Sequence, residues 1–523
     1  NSFRFALTLV ELIIGKFRFR RFRSMAQTTL TPISLSELES WLFEAANILR
    51  GPIDAADFKT YIFPLLFFKR ICDVFDEEYQ VALAEADGDV EEASYRENFR
   101  FYIPEGCHWR DVREHTENVG SAITRAMRCI ERENPRTLSQ IFGDVQWGNK
   151  ERLPDRLLNN LIEHFSEKTL SNTNVEPDIT GRAYEFLIKK FADESNKAAG
   201  EFYTPRNVIK LMMKILKPQE NESVYDPAVG TAGMLLEALN YVHAHGGNIN
   251  LLHLYGQEKN LTTSSIARMN LILHGREDFA IVRGDTLRSP AFVEDDRLKT
   301  FDCVVANPPF SLKKWGEEVW EHDPYGRNFA GMPPPSYGDY AWVQHMISSM
   351  AKPGGRMAIV LPQGALFRKG AEGKIRRTLL EMDLIEAVIG LGPNLFYGTT
   401  LAACIVIFQQ QKDARVKDRV IFIDASEQFK RGRNQNELLD GHVEQVYAWY
   451  EDCRDLEGAV KVATLAEIRE EDYNLNISLY VEPVIEEDPM TVEEGLARVK
   501  AAAAACAEAE ERLKRLLAKE GVV

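Results

Sequence analysis

Ser223-Val224-Tyr225-Asp226-Pro227-Ala228-Val229-Gly230-Thr231-Ala232-Gly233 is the stretch that decides the fold. A short β-rich run, Ser223–Tyr225, ends in an acid and a proline, turns through two glycines and leads straight into a helical stretch at Ala232–His245. The strand-to-helix change then repeats. Further β-rich runs follow at Leu254–Glu258, Ala280–Gly284, Phe301–Ala306, Arg356–Leu361, Leu384–Gly390, Ala402–Phe408 and Val420–Ile423, with another helix at Thr262–His274. Such alternation predicts a doubly wound α/β sheet with a mostly parallel core. Ligands in these sheets sit outside the carboxyl ends of the strands, which is where chemistry is sought.

Upstream the pattern is different. Residues 34 to about 170 read as helical: Leu38, Trp41, Leu42, Ala45, Ile48 and Leu49 recur at helical spacing, with Ser34 or Ser36 as a cap. Gly51-Pro52 breaks that helix and Asp54 opens another through Tyr61, Leu65, Phe68 and Cys72, while the charged stretch Glu85–Glu92 reads as a solvated connection. The expected organisation is an N-terminal all-helical domain at 25–170, an α/β domain at 171–480 and a helical tail at 481–523. Residues 1–24 read as a non-native or upstream extension ahead of a natural start at Met25; a basic arm touching DNA is the alternative. Phe5–Ile14 is apolar but interrupted by Glu11 and too short to span a bilayer. The basic run Lys16–Arg23 follows it, the wrong order for a secretory signal.

Bulk composition narrows the classes. Of 523 residues, 45% are hydrophobic and 27% charged, ordinary for a globular chain. The net charge of −16 is unlike a free-standing nucleic-acid binder, so any such grip has to come from a local basic channel or a partner. The seven cysteines form no CxxC pair, which argues against a zinc site or a disulfide framework and suits a reducing cytoplasm. No metal site is expected.

The strand ends carry the candidate chemistry. In the opening turn, Gly230 and Gly233 let the backbone approach a ligand while the new helix offers free N–H groups, although a plain tight turn would look the same. The middle position, Ala232, departs from the dinucleotide pattern GxGxxG. Glu258, at the tip of the second strand, is placed to accept both hydroxyls of a ribose. Asp285, after the third, is placed to accept from an adenine amine or simply to cap a helix.

The fourth strand, Phe301–Ala306, runs directly into Asn307-Pro308-Pro309-Phe310. Two prolines end the strand and, lacking N–H groups, leave a rigid loop rich in acceptors. The Asn307 side-chain oxygen and the Pro308 carbonyl can each take one hydrogen of an NH2 group, and Phe310 offers a face for stacking a base. An aromatic amine is a poor nucleophile because its lone pair is delocalised into the ring. Two acceptors on its N–H bonds draw the nitrogen toward tetrahedral geometry and expose that pair. Positioning and electrostatics then supply the rate, with no dedicated base.

The order Gly200-Glu201-Phe202-Tyr203-Thr204-Pro205-Arg206, then the Asp226–Gly233 turn, then Asn307–Phe310, resembles the amino-methylating DNA methyltransferases, and within them the modification subunits of type I restriction-modification systems. Ala46–Gly51, Tyr184–Leu187, Phe422-Ile423-Asp424 and Tyr473-Asn474-Leu475-Asn476 belong to the same pattern, over roughly residues 35–480. The resemblance implies a Rossmann-like class I methyltransferase domain with S-adenosyl-L-methionine as cofactor and a flipped adenine of double-stranded DNA as substrate. It implies that Tyr203, Thr204 and Pro205 lie near the methionine end of the cofactor. Asp226, Gly230, Thr231 and Gly233 would cradle its amino-acid part, Glu258 the ribose and Asp285 the adenine. Asn307, Pro308 and Phe310 would form the target pocket. Leu395–Thr399 resembles the segment whose aromatic residue stacks on the flipped base, Phe396 being favoured over Tyr397. Leu391-Gly392-Pro393 departs from the usual Leu-Pro just before it.

The segment between the catalytic loop and the last strands is too short for a separate DNA-reading domain, and the helicase loop GxxxxGK[ST] does not occur. These absences suit a subunit that borrows a specificity partner, and the resemblance implies as partners a DNA-specificity subunit, a second modification subunit and a restriction/translocase subunit, with no membrane. Cytosine-amine methylation, protein-glutamine methylation and a non-catalytic scaffold of the same fold are the competing readings.

Overall fold

The computed structural model describes residues 33–194, 204–396, 401–433, 435–482 and 491–519. Met25, Tyr203 and Tyr397 lie outside the described residues.

The helical region opens with α1 (Leu35–Leu49), whose Ser34 cap accepts from the Glu37 N–H at 3.3 Å and whose buried face is Leu38, Trp41, Leu42, Ala45, Ala46 and Leu49. α2 (Phe58–Glu85) buries Tyr61, Leu65, Phe68 and Cys72, as the spacing predicts. Three more long helices, α3 (Val119–Glu133), α4 (Asp155–Ser166) and α5 (Pro177–Glu194), pack around the same apolar core, to which the short helix Trp109–Arg113 adds Trp109 and Val112. A sixth long helix, α6 (Arg206–Leu216), leads into the sheet.

Apart from a two-stranded hairpin at Val293–Glu294 and Arg297–Leu298, the strands are β1 (Ser223–Asp226), β2 (His253–Glu258), β3 (Phe279–Arg283), β4 (Cys303–Ala306), β5 (Arg356–Pro362), β6 (Ile385–Leu391), β7 (Ala403–Gln409), β8 (Arg419–Ala425) and β9 (Val460–Thr464). Among the described residues they form one nine-stranded sheet in the order β9-β8-β6-β7-β5-β4-β1-β2-β3. Its pairs are parallel except those of β7 with β5 and β6 and of β9 with β8. The order reverses between β1 and β4, the switch point at which the strand-end rule places a ligand.

Both faces of the sheet are covered, so its central strands read as continuous apolar runs rather than alternating ones. Cys303 and Val305 of β4 enter the core shared with α6, α7 (Gly233–Ala244) and α11 (Asp440–Asp452). Val304 and Ala306 enter the core shared with α9 (Asp339–Ser348) and α10 (Ala371–Glu381). Between β2 and β3 runs α8 (Leu261–Leu273). The outer strand β9 is not foreseen from the sequence. Only Val460 and Ala463 of its five residues are buried, too little alternation to stand out.

A second unit comprises residues 482–523 and contains α12 (Val492–Lys519), a 28-residue helix opened by a capping exchange between Thr491 and Glu494. Its Leu496, Val499 and Leu513 are exposed. No helix among the described residues is long and apolar enough to cross a membrane.

Candidate active site at the switch point of the sheet

β1 delivers Asp226 to its carboxyl end, 2% exposed, where Oδ1 accepts the Ala228 N–H at 2.9 Å. The turn that follows has its positive φ values at Gly230 (+53°) and Ala232 (+67°). Gly233 is not one of them: it is the first residue of α7, and a Cβ there would meet Ile209 Cδ1 at 3.5 Å. The left-handed position before the helix belongs to Ala232. A different glycine seats the turn. A Cβ on Gly256 of β2 would lie 2.8 Å from Val229 Cγ2 and 2.7 Å from Ile281 Cδ1, so its bare backbone is what lets Val229 pack down.

Glu258 ends β2 beside this turn. Its carboxylate accepts the Gly230 N–H at 3.1 Å and the Asn260 N–H at 2.8 Å. Thr231 is fixed through its carbonyl, which accepts from Asn270 Nδ2 at 2.9 Å. Burial, partly offset by the Ala228 hydrogen bond and reinforced by the charge of Glu258, pushes the Asp226 carboxyl up to about 8. Among the described residues no Lys or Arg pairs with it. A buried carboxylate of this kind fits an incoming ammonium, such as that of an amino acid.

Asp285 follows β3. Its Oδ1 accepts the Arg288 N–H at 3.3 Å, the capping reading, while Oδ2 meets Lys259 Nζ at 2.9 Å and Arg288 Nη1 at 3.3 Å. Burial would raise this carboxyl, but the two cations hold it below the usual range.

At the end of β4, Asn307 Nδ2 donates to Thr204 Oγ1 at 2.9 Å, joining the Thr204-Pro205 segment to the Asn307–Phe310 loop. Its Oδ1 is buried and has no hydrogen-bond partner among the described residues. Buried acceptors are almost always satisfied, so an open one in a cleft marks where a donor belongs. Pro308 is buried, and Phe310, partly buried, meets Phe396 edge to face with ring centroids 6.1 Å apart. Phe396 itself is only 1% exposed, so here it backs Phe310 and presents no open face of its own. Gly392 tolerates no side chain, since a Cβ would lie 2.5 Å from the Phe429 ring; that packing accounts for the unusual Leu391-Gly392-Pro393.

Asp339 and Arg368, behind the loop, are missed by sequence reasoning. Ser311, at φ +51°, donates its N–H to Asp339 Oδ1 at 2.8 Å. Arg368 pairs with Asp339, reaches Glu372 Oε2 at 2.7 Å and lies 4.1 Å over the Tyr337 ring. Burial pushes the Glu372 carboxyl up to about 7 against the pull of Arg368. Asp339 offers a weak signal as an acid at a helix start after Gly338; Arg368 offers none.

A model of the N-6 DNA methylase family matches residues 175–488, well over half of the chain. The chain belongs to that family. A second model, the HsdM N-terminal domain, matches residues 38–165. The type I restriction enzyme MjaVII methylase subunit of Methanocaldococcus jannaschii is 33% identical over 482 residues, covering 87% of this chain and 79% of that protein. The HindI methylase subunit of Haemophilus influenzae is 31% identical over 385 residues, covering 71% of this chain and 84% of that protein. Among solved structures, a type I restriction-modification methyltransferase subunit from Streptococcus thermophilus superposes with a TM-score of 0.75 at 29% identity, over 86% of this chain and 100% of that one. The family member described here is an adenine-specific DNA methyltransferase of the modification-subunit kind, and S-adenosylmethionine is its methyl donor. The cytosine, protein-glutamine and scaffold readings are not favoured.

Proposed function

We propose that the cleft at the switch point holds S-adenosylmethionine and a flipped adenine, and that Asn307 is the residue on which methyl transfer turns. The observation that carries this reading is the buried, unpartnered Asn307 Oδ1 beside an amide nitrogen already fixed by Thr204. Asp226 takes the cofactor's ammonium, the Gly230–Gly233 turn its carboxylate, Glu258 the ribose hydroxyls and Asp285 the adenine edge. Thr204, Pro205 and Tyr203 border the methionine end. Bound there, the cofactor supplies an electrophilic methyl group.

The remaining work falls to the chain. Asn307 Oδ1 and the Pro308 carbonyl accept the two hydrogens of the target amine and free its lone pair. Phe310 presents its face to the extruded base; with Phe396 packed behind it, Tyr397 is the candidate for a second stacking ring. The methylated nitrogen gives its surplus proton to water. A methylation assay on duplexes that offer only adenine or only cytosine amines tests the substrate: incorporation confined to cytosine would overturn it.

The acidic chain is proposed to work in the cytoplasm, beside a DNA-specificity subunit, a second modification subunit and a restriction/translocase subunit. Alone it is expected to bind DNA weakly and without preference. With the specificity subunit, binding should become sequence-selective and fall steeply with salt as phosphate contacts are screened. Efficient methylation of one defined sequence by the isolated chain contradicts this division of labour.

The tail is proposed as part of that assembly. Leu496, Val499, Ala503, Cys506, Leu513 and Leu517 follow a three-and-four spacing interrupted by Glu510, a seam that wants a partner helix. Deleting 490–523 should leave cofactor binding unchanged and prevent co-purification with the specificity subunit. A truncated chain that still assembles a sequence-specific complex shows the tail to be dispensable.

A further inference from the structure

Helix α8 belongs to two cores at once. Ile266, Met269, Ile272 and Leu273 are buried with the N-terminal helices, whereas Ala267 and Leu271 are buried against the sheet. The N-terminal side grips it with specific bonds as well. Ser265 Oγ donates to the Gln140 carbonyl at 3.2 Å, Arg268 Nη2 to the Thr137 carbonyl at 2.7 Å, and Tyr184 Oη to the Ile266 carbonyl at 3.5 Å. At its far end, α5 lies so close that a Cβ on Gly181 would sit 2.5 Å from the His274 ring.

From this doubly packed helix one polar side chain reaches the glycine turn. Asn270 is 1% exposed; its Nδ2 donates to the Thr231 carbonyl at 2.9 Å, and its Oδ1 is buried without a partner among the described residues. A half-used amide is an expensive way to fill a core position, since an apolar side chain of similar volume would leave nothing unsatisfied. What it achieves is positional. The Gly230 N–H is held by Glu258, whose other oxygen accepts the Asn260 N–H at the start of α8, and the Thr231 carbonyl is held from the same helix ten residues after Asn260. The two residues at the crown of the turn are thus clamped on both sides by the β2–α8 segment.

We propose that Asn270 is a positioning residue for the cofactor: it fixes the Thr231 carbonyl, and with it the direction of the turn's N–H groups, from a helix anchored in the N-terminal domain. This rests on the turn being the cofactor site. Asn270→Leu keeps the volume and removes the donor; Asn270→Ala removes the side chain. In the full chain, calorimetric titration with S-adenosylhomocysteine should show about tenfold weaker binding for both variants, the scale of one lost ordering hydrogen bond. In the reconstituted complex the KM for S-adenosylmethionine should rise by a similar factor, with kcat at saturation near the parent value. Thermal melting reports on folding separately. A role confined to packing predicts a lower Tm with unchanged cofactor affinity, and that result overturns the proposal. Asp226→Ala serves as the control: if it too binds normally, the turn is not the cofactor site and the reading beneath the proposal fails; if it loses binding while both Asn270 variants keep theirs, only the positioning role is wrong.

Discussion

Asn307→Ala is expected to leave cofactor affinity nearly unchanged and to cut methyl transfer by about 10²–10³ or more, the range seen when one donor or acceptor that matters in the transition state is removed. Asn307 lies at the end of β4 with its carbonyl oxygen open, so truncation removes an acceptor that no other described side chain is using. The fold should survive. Asn307 contributes one bond to Thr204, and the loop is held independently through Ser311 and the buried Asp339. Single-turnover methylation by the reconstituted complex at saturating cofactor is the measurement. Near-normal rates in the variant would mean that the target amine is held elsewhere and would sink the assignment.

Why Asn307 is legible in the sequence while Asp339, Arg368 and Asn270 are not follows from how each signal is carried. Asn307-Pro308-Pro309-Phe310 announces itself locally, because a buried four-residue strand that runs into two prolines has to stop there and leave its acceptors open. The eight strands legible in the sequence likewise carry their signal in consecutive residues, and the helical face of α1 carries it in every third or fourth. Asn270 looks like an ordinary polar residue in a helix; its meaning lies in a contact with Thr231, thirty-nine positions away. Arg368 touches Asp339 twenty-nine positions away, with no periodicity to betray it. Gly256 stands in a strand end that is easily read, yet the reason for a glycine there lies in the side chains of Val229 and Ile281. Phe396 shows the limit from the other side. Its motif points to base stacking, but motif position cannot say that the ring is turned into the core behind Phe310. Local chemistry is readable from sequence, and the contacts that hold it in register are not.

The second large effect is expected at Asp226, where function and stability pull in opposite directions. Its folded-state value of about 8 stands well above the ordinary 3.8. A raised carboxyl contributes stability that is fully present below about 4 and is lost progressively as pH rises toward 8, because over that window the unfolded chain gives up this proton freely while the folded chain keeps it on the buried group. Replacing the carboxyl with an amide removes the charge at every pH and keeps an oxygen that can accept the Ala228 N–H. Asp226→Asn should therefore melt with the parent near pH 4 and increasingly above it as pH climbs to 8, in the absence of cofactor. Binding should move the other way. The cofactor's ammonium favours the ionised carboxylate, so at neutral pH the parent chain should release close to one proton on binding, and its affinity should rise with pH until about 8. The variant should show no such release and bind about 10²-fold more weakly or worse, as when one member of a buried charge pair is removed. Calorimetry in two buffers of different ionisation enthalpy reads the proton directly. A melting difference that stays flat from about pH 5 to 9, together with unaltered cofactor affinity, would show that Asp226 is a structural carboxyl and that the ammonium is held by another group.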